Sequence, residues 1–213
     1  MSALTAERRQ PAGAIDALVV FVHGYGADGN DLIGLADVFA PSLPGAAFAS
    51  PHAPGTTPMG GREWFPLTMR DPSEYARGVN AAAPALQAFI DDELARHGLS
   101  DDRLALVGFS QGTMMALHVA YRRAQPIAAV VGYSGLCADA DTGPLKAAPT
   151  LLVHGTEDQV LPAGLTLQAA QSLGGAGVPV EWHFIPGLGH GIEQQGLSMA
   201  AQHLGRALAP TVR

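Results

Sequence analysis

The chain has nine serines and 26 glycines in 213 residues, and only Ser110 carries a glycine two positions away on each side, in Gly108-Phe109-Ser110-Gln111-Gly112. A composition of this kind yields the pattern by chance about 0.13 times. Glycine at both flanks keeps neighbouring Cβ atoms out of a sharp turn, so the spacing suits a serine held in a strained backbone at a strand-to-helix reversal. Such a turn pushes the hydroxyl outward. The helix that follows aims its unpaired N–H groups at the same point, where they stabilise developing negative charge. The chemistry implied is nucleophilic attack by Ser110.

A serine hydroxyl is a weak nucleophile near neutral pH and needs a general base, itself oriented by a carboxylate. Where the nucleophile sits on an elbow of this type, acid and base follow it in the chain, the histidine last. Residues 151–158 run from an apolar strand into a glycine-containing loop and offer Asp158 as the acid, with the adjacent Glu157 as the alternative. Asp139 and Asp141 lie on the preceding loop and read as solvated acids. Of eight histidines, His190 alone occupies a glycine-rich loop between the last strand and the last helix. His118 falls within the helix after the elbow as a packed or half-exposed residue, His97 and His203 lie on helical surfaces, His183 lies in a strand, and His23 and His154 precede glycines at strand ends, where hydrogen bonds from their rings would support the loops. Two backbone donors are needed for an oxyanion. Gln111, the residue after the nucleophile, supplies one; Tyr25, in the His23-Gly24-Tyr25-Gly26 turn after a strong strand, supplies the other.

These side chains need a scaffold that brings loop ends together. Apolar runs at 17–22, 46–49, 103–107, 127–131, 150–153 and 180–184 read as strands, separated by segments of helical period. That alternation predicts a mostly parallel central sheet with helices on both faces. The longest helical stretch, 73–97, contains Pro84, so either the helix starts near Asn80 or a longer one kinks. Length and a 47% hydrophobic content predict one domain over 1–213, with 1–15 a loosely ordered or strand-forming segment. Between 127 and 150 there is no insertion of lid size, so no cap domain is expected and the cleft should be open.

With 12 Lys and Arg against 19 Asp and Glu, the net charge of −7 repels phosphate backbones, which argues against a nucleic-acid partner. No apolar run approaches the ~18 residues of a membrane span, and the first ten residues lack a signal-peptide core. The single cysteine, Cys137, allows no internal disulfide and reads as a small buried hydrophobe in a cytoplasmic protein. Neither H-E-x-x-H nor paired cysteines occur, so no metal site is expected.

Five segments in order resemble the phospholipase/carboxylesterase family of α/β-hydrolases, which includes the acyl-protein thioesterases. They are His23-Gly24-Tyr25-Gly26, Ser50-Pro51-His52-Ala53-Pro54, the Ser110 elbow with Gln111, His154-Gly155-x-x-Asp158 with Val160 and Pro162, and Gly189-His190. The resemblance implies the α/β-hydrolase fold and a serine esterase with Ser110, Asp158 and His190 as its triad. It also implies the amides of Tyr25 and Gln111 as oxyanion hole, no cofactor, and a capacity for homodimers. Two positions depart from the thioesterases: Thr113 stands where they have a second glycine, and the loop after Pro54 differs. The expected activity is hydrolysis of short-to-medium acyl esters, with lysophospholipase or protein-thioesterase activity as alternatives. Ligand binding without turnover on the same fold is the reading from another class. Met59, Trp64, Phe65, Leu67 and Met69 are the apolar candidates for the cleft wall, unless Trp64 and Phe65 pack the loop onto the body.

Overall fold

The computed structural model describes residues 4–68, 71, 73–139 and 145–209. Seven strands form the main sheet: β1 (Ala6–Arg9), β2 (Ala17–Val22), β3 (Ala46–Pro51), β6 (Leu104–Phe109), β7 (Ala129–Tyr133), β8 (Thr150–Gly155) and β9 (Val180–Ile185). A two-residue ladder, β4 (Gly55–Thr56) with β5 (Arg62–Glu63), stands apart. The strand order is β1-β3-β2-β6-β7-β8-β9, parallel throughout except for β1 on β3.

Strand β2 shows why the sheet is sandwiched. All six of its residues are buried, and their side chains alternate between two cores. Leu18, Val20 and Val22 belong to the core covered by α3 (Ser73–His97), α4 (Gln111–Ala120) and α5 (Gly164–Gly175). Ala17, Val19 and Phe21 belong to the core covered by α1 (Gly29–Ile33), α2 (Leu35–Phe39) and α6 (Gln194–Ala207). Each large apolar side chain removed from water on these faces contributes about 1.5–3 kcal/mol. Parallel strands covered on both sides read as continuous apolar runs, as these do in the sequence.

Helix α3 runs through Pro84 without interruption. Both Pro84 and Asn80 are exposed, so the Asn80 carbonyl that loses its helical donor lies on the solvent side. The N-terminal segment contributes β1, docked by an ion pair in which Arg8 reaches the buried Glu93 carboxylate of α3 at 2.7 Å. Among the described residues no cap interrupts the fold between β7 and β8.

Candidate active site

Ser110 sits between β6 and α4 with φ 53° and ψ −117°, a conformation L-residues rarely adopt. The flanking glycines explain how the turn closes. A Cβ on Gly108 would lie 2.5 Å from the Gly112 carbonyl oxygen, and one on Gly112 would overlap the Val22 carbonyl at the end of β2. Gly112 therefore lets α4 begin hard against β2, which brings the His23–Gly26 turn beside Ser110. Ser110 N–H donates to the Tyr133 carbonyl at 2.9 Å, and the Ser110 carbonyl accepts from Thr113 N–H. The Ser110 hydroxyl makes no hydrogen bond among the described residues. Thr113, the residue unlike the thioesterase pattern, is fully buried and donates its hydroxyl to the same Tyr133 carbonyl at 2.8 Å. Its side chain fits because Gly132 and Gly135 face it without Cβ atoms.

The loop after β8 carries the candidate acid. Asp158 is buried, and its Oδ1 accepts from the amides of Val160 (2.8 Å) and Leu161 (2.9 Å). Its Oδ2 accepts from His190 Nδ1 at 2.7 Å. Burial by itself raises the Asp158 pKa; the Leu161 amide, the His190 hydrogen bond and the Val160 amide outweigh it and hold the carboxyl below its usual range. Glu157, one residue earlier, is exposed and does not meet His190. The His190 ring packs 5.0 Å from the Phe109 ring, next to the elbow. Its proton on Nδ1 leaves Nε2 as the ring's acceptor, the requirement for a general base.

Two amides at the elbow lack backbone partners. Gln111 N–H opens α4 and has no intrahelical acceptor, and Tyr25 N–H makes no hydrogen bond among the described residues. The turn bearing Tyr25 is fixed from three directions. His23 Nε2 accepts from Ala53 N–H at 3.1 Å, Gly26 N–H donates to the Arg62 carbonyl at 2.8 Å, and Trp64 Nε1 donates to the His23 carbonyl at 3.0 Å. Burial lowers the His23 pKa, in keeping with a ring that accepts at Nε2. The buried Gln111 side chain closes the framework, accepting from Trp64 N–H at 2.9 Å and donating to the Phe65 carbonyl at 2.7 Å.

The apolar residues of the loop after Pro54 do not share one place. Trp64 and Phe65 are only 4% and 3% exposed and face the α3 side of the core, away from the cleft at Ser110; Met59 is 96% exposed and is not among the residues that line that cleft. The reason is the Gln111 clamp and the Trp64–His23 bond, which turn that segment inward as support for the Tyr25 turn. Met69 lies outside the described residues. Leu67 does line the cleft, with Tyr25, Tyr75, Met114, Val160 and Leu161, around a volume of about 200 Å³. Those additional residues come from the turn after β2, α3, α4 and the loop after Asp158. Met114 was accessible to sequence reasoning, since four residues past Ser110 is one helical turn. His118 is packed within α4 and His203 is buried rather than on a helix surface, Asp139 is not solvated but accepts from Asn80 at 2.8 Å, Asp141 lies outside the described residues, and Cys137 is half-buried.

A parallel sheet with its nucleophile on this elbow, and acid and histidine following at later strand ends, is the architecture of an α/β-hydrolase. Within that class the pattern of the phospholipase/carboxylesterase family matches residues 5–208, and the chain belongs to that family. It is 28% identical over 200 residues to the esterase YpfH of Escherichia coli (strain K12), covering 92% of this chain and 85% of that protein. It is 30% identical over 176 residues to acyl-protein thioesterase 1 of Schizosaccharomyces pombe (strain 972 / ATCC 24843), covering 76% and 78%. The crystal structure of esterase PE8 superposes with a TM-score of 0.93 at 36% identity, over 97% of this chain and all (100%) of that one.

Proposed function

We propose that the protein is a serine carboxylesterase acting on short-to-medium acyl esters through an acyl-enzyme. The observation that carries this reading is the junction of a strained Ser110 elbow with a buried carboxylate bonded to His190 Nδ1. Ser110 Oγ attacks the ester carbonyl while His190 Nε2 takes its proton. The resulting oxyanion accepts from Tyr25 and Gln111 N–H, and Asp158 stabilises the imidazolium. Collapse expels the alkoxide, which leaves as the alcohol with the proton from His190. Water, deprotonated by the same nitrogen, then releases the acid and restores Ser110.

The relatives support both an ester and a thioester as the bond cleaved, since one is an esterase and another an acyl-protein thioesterase. The open, apolar cleft favours acyl groups of about four to eight carbons: it can grip methylenes at about 0.8 kcal/mol each but encloses no long chain. The reading includes a single catalytic domain, no cofactor, a cytoplasmic setting suggested by the lone cysteine, and a homodimer. Labelling with a fluorophosphonate and turnover of p-nitrophenyl butyrate test it together. Stoichiometric labelling of Ser110 with many turnovers per site is expected, and Ser110→Ala should abolish the first and lower kcat by about 10⁴ or more. Labelling without turnover would indicate a binding protein on this fold.

A further inference from the structure

We propose that His154 is a positioning residue for hydrolysis: one N–H, on Nε2, holds both the Asp158 carboxylate and the cleft-wall segment at Leu161. The proposal rests on Ser110, Asp158 and His190 acting as the triad. The His154 ring is fully buried at the end of β8, four residues before Asp158. Its Nε2 lies 2.9 Å from Asp158 Oδ2 and 2.9 Å from the Leu161 carbonyl oxygen. Both neighbours are acceptors, so Nε2 must carry a proton and share it between them. Nδ1 lies 2.7 Å from the Thr166 hydroxyl of α5, which donates to it and so keeps the proton on Nε2. Thr166 Oγ1 is also 3.3 Å from the Gly135 carbonyl, in the loop after β7.

The consequence falls on Asp158 Oδ2, the oxygen that also accepts from His190 Nδ1. Donation from His154 draws electron density from that oxygen and weakens its hold on the His190 proton. It also fixes the carboxylate rotation that aligns the His190 ring. Leu161 contributes further coupling. Its amide donates to Asp158 Oδ1, its carbonyl accepts from His154, and it lines the cleft. The segment that meets the substrate is thus built on the same three-residue network as the base. Two other rings serve different places: His23 holds the Tyr25 turn, and His183 pairs with Glu181 on the edge strand.

The test compares His154→Phe, His154→Gln and Thr166→Val with the wild-type enzyme. His154→Phe fills the space but removes the donor, while Gln places an amide N–H₂ near the original Nε2 and can serve both acceptors. With the donor gone and Oδ1 still held by two amides, Oδ2 binds the His190 proton more tightly. The acid limb of kcat/KM against pH should then move up by about half a unit in His154→Phe. Its kcat should fall about ten- to hundredfold with KM for p-nitrophenyl acetate little changed. His154→Gln should return the limb to its wild-type position and recover most of kcat. Thr166→Val, which leaves the ring without its orienting donor, should shift the limb in the same direction by less, and it keeps the idea testable if His154→Phe does not fold. A fall in kcat and melting temperature with an unmoved acid limb, or no recovery in His154→Gln, would reduce His154 to a packing residue and overturn the proposal. Failure of Ser110 to label in the wild type would instead overturn the triad on which it depends.

Discussion

Asp158 concentrates the opposing effects that this fold must balance in one side chain. Burial disfavours its charge, yet two amides and His190 pull its pKa below the ordinary value. A depressed folded-state pKa means that the group contributes stability above the unfolded carboxylate value of about 3.9, and that this is lost as pH falls through the lower folded-state value. Asp158→Asn should therefore flatten the acid side of the stability curve, read by urea unfolding between about pH 2 and 5. The same substitution should lower kcat by about 10⁴, because an amide in place of the carboxylate can hold the wrong tautomer of His190. Glu157→Gln, on an exposed side chain, should change both by no more than about twofold. The reverse ranking would move the orienting acid to Glu157.

Between elements, small residues set distances that no catalytic side chain could set for itself. Gly112 admits α4 to the carbonyl end of β2, and Gly132 and Gly135 leave room for Thr113 under the elbow. A Cβ on Gly135 would overlap Thr113 Cβ and stand 3.0 Å from the Ser110 carbonyl. Gly135→Ala should cost about 1–3 kcal/mol by chemical denaturation and slow acylation by displacing the elbow. Because most of the overlap is with Thr113, combining it with Thr113→Gly should recover part of the stability despite the lost hydroxyl bond to Tyr133. Purely additive losses in the double variant would show that the Ser110 carbonyl is the obstacle.

For the whole molecule, the absence of a cap among the described residues and the inward turn of Trp64 bear on the acyl range proposed above. Trp64→Ala should lower stability by about 3–5 kcal/mol and affect acetyl and octanoyl esters equally, since the indole supports the Tyr25 turn and does not wall the cleft. Val160→Trp, at the exposed mouth, should lower kcat/KM for octanoyl relative to acetyl esters by about tenfold. A selective octanoyl loss in Trp64→Ala would put the indole back in the acyl site. At the far side of the sheet, β9 is an edge strand whose Trp182 and Phe184 are 45% and 37% exposed. An uncovered apolar edge favours pairing with another chain. If the protein dimerises there, Trp182→Glu should yield monomers in sedimentation equilibrium with kcat unchanged, and a persistent dimer would place the interface elsewhere. Sequence alone determined the parts whose signals are local: five inner strands of the main sheet, through apolar runs that burial on both faces demands, the edge strand β9 through its β-branched and aromatic residues, and the glycine-flanked elbow and strand ends that offer Ser110, Asp158 and His190 as the candidate triad. The tertiary structure decided which way Trp64, Phe65 and Met59 face, that β1 docks through Arg8 on Glu93, and that His154 joins Asp158 to the cleft wall. Side-chain direction in a loop and partnership across more than eighty positions depend on which distant carbonyl or carboxylate is left to be satisfied, and no short window of sequence contains both groups.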